Sequence, residues 1–302
     1  MRDMTNHQIT DGVGRTAIGV ARARAAESRR PDRLFDDPYA AAFVAAALAG
    51  EPEPERNPQD TPIGVIVLAR YLAVRTRFFD DQLLAAARAG CRQVVIPAVG
   101  LDTRALRLEW PAGTRFFEID QPEVLAFGER VLAEQGASAA GPRAVLAGDL
   151  REDWAGVLTG AGFDPAQPSA WLLEGLLVYL SPAEVAALLT TVGSLAAPGS
   201  RLALTHGFPR SEHDPVDRTA GFAEAVPELA GVAALWQGGL DEDVAGWLER
   251  HGWRAAWHDR AEAAVSYGRP AGYLTPQRSF VTAERPAGPD RLPDADPGTG
   301  GR

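Results

Sequence analysis

Residues 93–120, with the sequence QVVIPAVGLDTRALRLEWPAGTRFFEID, decide the fold of this chain. An apolar run ends in a turn that contains Gly100, and a second apolar run ends in the carboxylate of Asp120. A doubly wound sheet holds a nucleoside in this way, with a flexible turn after one buried strand and an acidic residue at the end of the next, about 20 residues on. The spacing therefore predicts an adenosine-type cofactor.

The turn lacks the glycines of a dinucleotide-binding fold. That fold uses G-x-G-x-x-G, which lets a pyrophosphate lie against backbone amides at the start of a helix. The first and third glycine positions are here Ala98 and Thr103, so no phosphate cradle is evident. The pattern favours a phosphate-free adenosine ligand, such as S-adenosylmethionine, over NAD.

Strand and helix patterns alternate along the rest of the chain. Strands are predicted over 93–98, 115–119, 143–147, 170–173, 201–205, 253–258 and 278–282. Helices are predicted over 15–27 and 39–48, from residue 61 towards the first strand, and over 122–134, 151–159, 182–195 and 241–250. Such alternation predicts an α/β fold with a doubly wound, mostly parallel sheet of seven strands and helices on both faces.

We interpret the chain as one domain with additions. Residues 1–14 are predicted to form a flexible tail, and residues 15–284 the domain, which begins with an N-terminal helical cap over 15–90. Residues 207–240 are rich in Pro, Gly and charge and are predicted to insert on the substrate side of the sheet. Residues 285–302 lack apolar periodicity, so we expect a disordered tail there.

Composition narrows the classes of function. The net charge of −10 argues against a nucleic-acid groove, and the absence of lysine excludes Schiff-base and P-loop lysine chemistry. The single cysteine, Cys91, excludes an internal disulfide and favours a cytoplasmic location. Neither the cysteine nor the five histidines show metal-ligand spacing, so no metal site is expected. No apolar run is long enough for a membrane helix.

Six short blocks carry a resemblance to a known family. In chain order they are DDPY at 36–39, RTR at 75–77, GLDTR at 100–104, FEIDQP at 117–122, GDL at 148–150 and EGLLVYL at 174–180. Together they resemble the leucine carboxyl methyltransferase family, and look closest to its bacterial branch of S-adenosylmethionine-dependent methyltransferases. The match covers roughly residues 15–283 in order and at plausible spacing.

The resemblance implies a class I methyltransferase fold, with strand order 3-2-1-4-5-7-6, an antiparallel strand 7 and S-adenosylmethionine as the cofactor. It implies that Gly100 lets the backbone approach the cofactor and that Asp120 binds the ribose hydroxyls. Asp149 and Leu150 would lie at the adenine, Arg75 would pair with the methionyl carboxylate, and Glu174 would face the methionyl amine or the transfer site. The full cofactor-binding set is Arg75, Ala98, Gly100, Asp120, Gln121, Asp149, Leu150 and Glu174.

Two further residues are candidates for catalysis. His206 ends the fifth predicted strand and is the best placed histidine for a general base, although a hydrogen-bonded structural role is at least as common for histidine. Tyr179 precedes the capped helix start Ser181-Pro182, and packing explains it as well as substrate contact does. Asp120 and Asp149 have a structural alternative as helix caps, and Arg75 has one as a solvated helix charge.

We expect an O-methyltransferase that acts on a carboxylate or hydroxyl of a small molecule, including a polyketide-type secondary metabolite. A carboxylate is already ionised near pH 7 and needs no base, whereas a phenol or alcohol would benefit from one. Three alternatives stay open: methylation of a protein C-terminal carboxylate, an NAD-dependent dehydrogenase, and a non-catalytic cofactor-binding protein.

Overall fold

The computed structural model describes residues 12–49, 62–206 and 234–286. Its centre is a seven-stranded sheet in the order β3-β2-β1-β4-β5-β7-β6. The strands are β1 Gln93–Pro97, β2 Arg115–Asp120, β3 Arg143–Ala147, β4 Ser169–Leu173, β5 Arg201–Thr205, β6 Arg254–Asp259 and β7 Arg278–Glu284. The first five strands pair in parallel, and β7 is antiparallel to both β5 and β6. The predicted fold class and strand order are confirmed.

Nine helices accompany the sheet in the described part of the chain. They are α1 Gly12–Ser28, α2 Ala40–Ala47, α3 Ile63–Arg88, α4 Arg104–Arg107, α5 Pro122–Glu134, α6 Trp154–Gly160, α7 Pro182–Leu195, α8 Val244–Arg250 and α9 Arg260–Ser266. Single 3₁₀ turns lie at Leu177–Tyr179 and Ala271–Tyr273. The sequence predicted the bounds of α5 and α7 as the structure has them, whereas α9 was not predicted.

The two faces of the sheet are covered by different helices. On one face, Trp171 and Leu204 pack with side chains of α6, α7 and α8. On the other face, Phe79 of α3 and Phe280 of β7 pack with each other and with α9. Parallel strands covered on both faces have their carboxyl ends at one edge, and that edge is where an open α/β sheet binds its ligands.

The N-terminal helices have two different roles. Helices α1 and α2 pack together and against α5 through a separate apolar cluster that includes Phe43 and Phe127. Helix α3 instead packs on β1, β4 and β5, so it belongs to the helical layer of the sheet rather than to a cap. The predicted cap over residues 15–90 is therefore divided between these two positions.

The ends of the described chain differ from the predicted boundaries. Helix α1 begins at Gly12, so the last residues of the predicted 1–14 tail are helical. Strand β7 runs to Glu284, and the next residue, Arg285, donates to the carbonyls of His251 and Gly193, so the predicted disorder does not begin at 285. The rest of both predicted tails, and residues 207–233 of the predicted insertion, lie outside the described residues.

Candidate functional site

The turn after β1 has an unusual backbone. Ala98 has a φ of 53°, and Gly100 has a φ of 59°. Pro97 still pairs with Ile119, and the amide of Val99 donates to the Ile119 carbonyl at 3.1 Å. Ala98 therefore adopts the left-handed conformation that glycine usually supplies, and Pro97 does not displace the turn from β2.

Asp120 fastens this turn to the end of β2. One carboxylate oxygen accepts from the amide of Gly100 at 2.6 Å, and the other accepts from the amide of Gln121 at 2.7 Å. Burial raises the pKa of Asp120, and these two N–H bonds oppose the rise. Helix α5 begins after Gln121 with no side-chain cap, so the alternative of Asp120 as the cap of α5 is not what the structure shows.

Glu174, directly after β4, lies between two guanidinium groups. Arg75 of α3 donates its Nε to one carboxylate oxygen at 2.7 Å, and Nη1 of Arg104 lies 2.7 Å from the other. Burial alone would raise the pKa of Glu174, but Arg104 and Arg75 outweigh it and hold the pKa at about 2. Arg75 is itself buried, so the alternative of a solvated helix charge is wrong.

Further charged residues that sequence reasoning missed extend this cluster. Arg104 pairs with Asp102 and, at 2.7 Å, with Asp80 of α3, which also binds Arg107 at 2.7 Å. The signal was available in part, because Asp102 and Arg104 lie in the GLDTR block. Asp80 gave no such signal in the sequence, since an acidic residue on a long helix usually faces solvent.

The guanidinium of Arg75 is shared between its neighbours. Its Nε donates to Glu174, and its side chain lies within hydrogen-bonding reach of the Tyr71 side chain. A Cβ on Gly175, whose φ is 66°, would lie 3.3 Å from Nη1 of Arg75. The absence of a side chain at Gly175 therefore lets this guanidinium lie against the backbone of the turn after β4.

Helix α1 and the segment before α2 lie against the turn from Gly100 to Arg104. Arg24 donates to the carbonyl of Leu101 and pairs with Asp37 at 3.0 Å. The hydroxyl of Thr103 donates to the same Asp37 at 2.9 Å. Asp37 also accepts from two amides at the start of α2, so one buried carboxylate joins α1, α2 and the turn.

Tyr179 contacts the same helix. It lies in the 3₁₀ turn after β4, and its hydroxyl is 3.3 Å from the hydroxyl of Thr16 in α1. The amide of Gln237 donates to the carbonyl of Val178 at 2.8 Å, so residues near 237 lie beside this turn. Tyr179 is thus half-buried between α1 and the end of the 207–240 segment, at the carboxyl edge of the sheet.

Asp149 follows β3 and is half-buried, whereas Gln121 is exposed. It pairs with the guanidinium of Arg151 at 2.9 Å, which lowers its pKa, and the side chain of Gln121 adds a smaller lowering. Helix α6 is capped by Asp153, so Asp149 is not its cap. Gln121 therefore lies one strand out from Gly100, and Asp149 with half-buried Leu150 lies two strands out, at neighbouring strand ends.

His206 directly follows β5. Its ring is buried, Nδ1 has no hydrogen-bond partner among the residues that the structure describes, and the ring meets Trp257 edge-on at a centroid distance of 5.4 Å. Burial lowers the pKa of His206, and the charge of Asp243 opposes this weakly, so the imidazole is neutral near pH 7. Within residues 12–49, 62–206 and 234–286, the alternative of a hydrogen-bonded structural histidine finds no partner at Nδ1 of this ring.

These residues meet at one edge of the sheet and match the chemistry of S-adenosylmethionine. The cofactor carries a ribose diol, an ammonium and a carboxylate, and the edge offers a carboxylate beside a glycine turn, a second carboxylate and the guanidinium of Arg75. No group of three or more potential metal ligands is placed to hold an ion in the described ranges. Within them, no helix is long and apolar enough to span a bilayer.

Comparison with known proteins also indicates a methyltransferase that uses S-adenosylmethionine. The family model for leucine carboxyl methyltransferase matches residues 17–193. A relative from Parafrankia sp., named as an S-adenosyl-L-methionine-dependent methyltransferase, is 51% identical, with 92% of this chain and 88% of the relative covered. A relative of the same name from Streptomyces coelicolor is 45% identical, with 87% and 90% covered.

Solved structures share the fold. A protein from Thermobifida fusca described as a methyltransferase superposes with a TM-score of 0.51 at 19% identity, with 88% of this chain and 94% of that chain covered. A DUF574 family protein from Streptomyces avermitilis gives 0.52 at 16% identity, with 88% and 97% covered. From the family match and the close relatives, we conclude that this chain belongs to the leucine carboxyl methyltransferase family and is an S-adenosyl-L-methionine-dependent methyltransferase.

Proposed function

We propose that this methyltransferase transfers the methyl group to an oxygen, either a carboxylate or a hydroxyl, of a small molecule such as a polyketide-type secondary metabolite. The observation that carries the proposal is the buried, neutral imidazole of His206, whose Nδ1 has no partner in the described part of the chain. An imidazole in this state can accept the proton of a hydroxyl acceptor. The acceptor pocket would lie between α1 and residues 234–240, which both contact the 3₁₀ turn that contains Tyr179.

We further propose how the edge holds the cofactor. Asp120 would take the ribose hydroxyls, and Gly100 and Ala98 would let the backbone pass close to the cofactor. Asp149, Leu150 and Gln121 would surround the adenine. Arg75 would bind the methionyl carboxylate through its Nη atoms while its Nε stays on Glu174, which would then face the methionyl ammonium. The support is that Gly100, Asp120, Asp149 and Glu174 all follow strands at one edge of the sheet, and that Arg75 of α3 reaches Glu174 at this edge.

When bound, the cofactor supplies an electrophilic methyl group on a sulfonium. The protein then has to hold the acceptor oxygen in line behind that methyl group, which can lower the barrier by about 7 to 11 kcal/mol. The new bond joins the acceptor oxygen to the methyl carbon, the carbon–sulfur bond breaks, and its electron pair stays on sulfur. With a hydroxyl acceptor, His206 would take the released proton. With a carboxylate acceptor, no proton is released.

The test is methyl transfer by the wild type and His206→Gln, with His251→Gln as the control. The imidazole ring of His251 also contacts a tryptophan, since it stacks on Trp247 of α8, but it lies away from the carboxyl ends of the strands. Small hydroxylated and carboxylated acceptors would be screened by mass spectrometry next to peptides with free C-terminal carboxylates. We expect His206→Gln to lower kcat for hydroxyl acceptors by about 10²-fold or more and leave binding of S-adenosylhomocysteine unchanged.

Other outcomes are equally informative. Methylation of peptides but of no small molecule would contradict the small-molecule acceptor. Equal kcat for the wild type and His206→Gln with every hydroxyl acceptor would contradict the role of His206. Methylation of carboxylates alone, unaffected by the substitution, would identify the acceptor as a carboxylate.

A further inference from the structure

Arg260, the first residue of α9, carries a half-buried guanidinium without an acidic partner in the described part of the chain. Its Nε and Nη2 each donate to Thr275 at 2.9 Å, one to the carbonyl and one to the hydroxyl. The carboxylate of the neighbouring Asp259 caps α9 through the amides of Ala261 and Glu262, so its charge acts on Arg260 only at a distance and not through an ion pair among the described residues. A cation at a helix start is also unfavourable with respect to the helix dipole.

Tyr71 connects this guanidinium to the candidate cofactor site. The Cζ atoms of Arg75 and Arg260 lie 5.7 and 5.8 Å from the centroid of the Tyr71 ring. The ring is stacked on Phe280 at 6.0 Å, which fixes its position against β7. Burial raises the pKa of Tyr71, so its hydroxyl stays protonated and able to donate. The charges of Arg75, Glu174 and Arg260, and a hydrogen bond with the Arg75 side chain, affect this pKa more weakly.

The position of Arg260 separates it from the expected site of methyl transfer. Strand β6, which Arg260 follows, is three strands from β4, which Glu174 follows. At a spacing of about 4.8 Å per strand, the two strand ends are roughly 14 Å apart, and the long arginine side chain spans part of this distance towards Tyr71. A group bound to Arg260 would thus not itself be the group that receives the methyl.

We propose that Arg260, with the Tyr71 hydroxyl, binds a carboxylate of the acceptor and that a second oxygen of the same molecule, a hydroxyl, is the one methylated. The inference rests on the proposed O-methyltransferase function and narrows its substrate to a small hydroxy acid. A carboxylate that is paired with a guanidinium has its charge compensated, so it serves better as an anchor than as a nucleophile. Arginine suits the anchor because its planar fork matches the two carboxylate oxygens.

The experiment titrates protein saturated with S-adenosylhomocysteine with 3- and 4-hydroxybenzoate and with the matching hydroxybenzamides. We expect the acids to bind about tenfold or more tightly than the amides, because the amides lack the charge that Arg260 neutralises. Arg260→Gln should remove this preference, and Tyr71→Phe should reduce it. Arg70→Gln is the matched control, since Arg70 neighbours Tyr71 in sequence but its guanidinium lies on the Tyr273 ring, and it should keep the preference.

Equal binding of acids and amides, binding of neither, or a preference that survives in Arg260→Gln would overturn the anchor. A parallel reaction with S-adenosylmethionine, analysed by mass spectrometry, separates this inference from the function beneath it. Methyl transfer to acids and amides alike would support the O-methyltransferase function and reject the carboxylate anchor. Methyl esters in place of methyl ethers would do the same, because the carboxylate would then be the methylated group. An acid preference that Arg260→Gln abolishes, without methyl transfer to any oxygen, would keep the anchor and count against the O-methyltransferase function.

Discussion

At the scale of single residues, Ala98 shows how a side chain is accommodated at a left-handed turn position that glycine usually occupies. A left-handed conformation costs an L-residue about 1 to 2 kcal/mol. Ala98 takes this conformation at φ 53°, and its methyl group packs against the main core cluster. The absent glycine therefore changes the cost of the turn but not its geometry, and Asp120 still closes it through Gly100.

Ala98→Val should lower the free energy of unfolding by about 2 kcal/mol or more, because a β-branched residue tolerates a positive φ poorly. Ala98→Gly should stay within about 1 kcal/mol of the wild type, since relief of strain offsets the added freedom of the unfolded chain. Urea denaturation measures both. Ala144→Val, in strand β3 and packed on the same cluster, is the control and should be tolerated. A variant Ala98→Val as stable as the wild type would show that this turn bears no strain.

The residues of the site were predictable where a strand end exposes them. Gly100, Asp120 and Glu174 follow apolar runs, so their positions could be read from the sequence. Their partners could not: Arg75 and Glu174 are 99 positions apart, and nothing local to either residue indicates the pair. The same holds for Arg260, because its proposed role depends on the lack of an acidic partner among the described residues, which no local pattern indicates.

At the scale of elements, Glu174 joins β4 to α3 and α4 through Arg75 and Arg104. The ordinary pKa of a glutamate, 4.5, falls here to about 2, so the folded state holds the ionised form more strongly than the unfolded state does. This contribution to stability is complete above pH 4.5 and is lost as the pH falls from about 4.5 towards 2.

Glu174→Gln should therefore cost about 3 to 5 kcal/mol near neutral pH, because two buried guanidinium groups lose their shared counter-charge. The gap between wild type and variant should narrow as the pH falls below about 4.5, since the wild type then loses the same charge by protonation. Urea unfolding of both proteins near pH 7, 5 and 3 measures the gap. A gap that stays constant across this range would mean that the ionised carboxylate does not carry the stability of this junction.

Helix boundaries show why element prediction succeeded unevenly. Helix α7 was predicted with its observed bounds, because Ser181 and Glu184 form a capping box next to Pro182. Helices α6 and α8 begin three residues later than predicted, because Asp153 and Asp243, rather than an earlier acidic residue, supply the caps. Helix α9 was missed because it follows β6 without a loop between them, and its cap, Asp259, is also the last residue of β6.

At the scale of the whole molecule, the sheet collects residues from the full length of the chain at one edge. The alternation of strands and helices predicted that sheet, and the family resemblance predicted the order of its strands. The position of α1 and α2 against the Gly100 turn was not predictable, because it depends on Asp37 meeting Arg24 and Thr103 across three separate elements. Such buried ion pairs leave no periodic pattern in a sequence.

The central claim is that this edge binds S-adenosylmethionine with Asp120 on the ribose. Isothermal titration calorimetry with S-adenosylhomocysteine tests it on the wild type and Asp120→Ala. Asp164→Ala serves as the control, because Asp164 also accepts a backbone amide but lies in the loop before β4. We expect binding of S-adenosylhomocysteine and not of NADH, and a loss of about tenfold or more in affinity for Asp120→Ala alone, from one or two hydrogen bonds to a charged acceptor. Unchanged affinity in a folded Asp120→Ala would contradict the assignment, and binding of NADH alone would contradict the site.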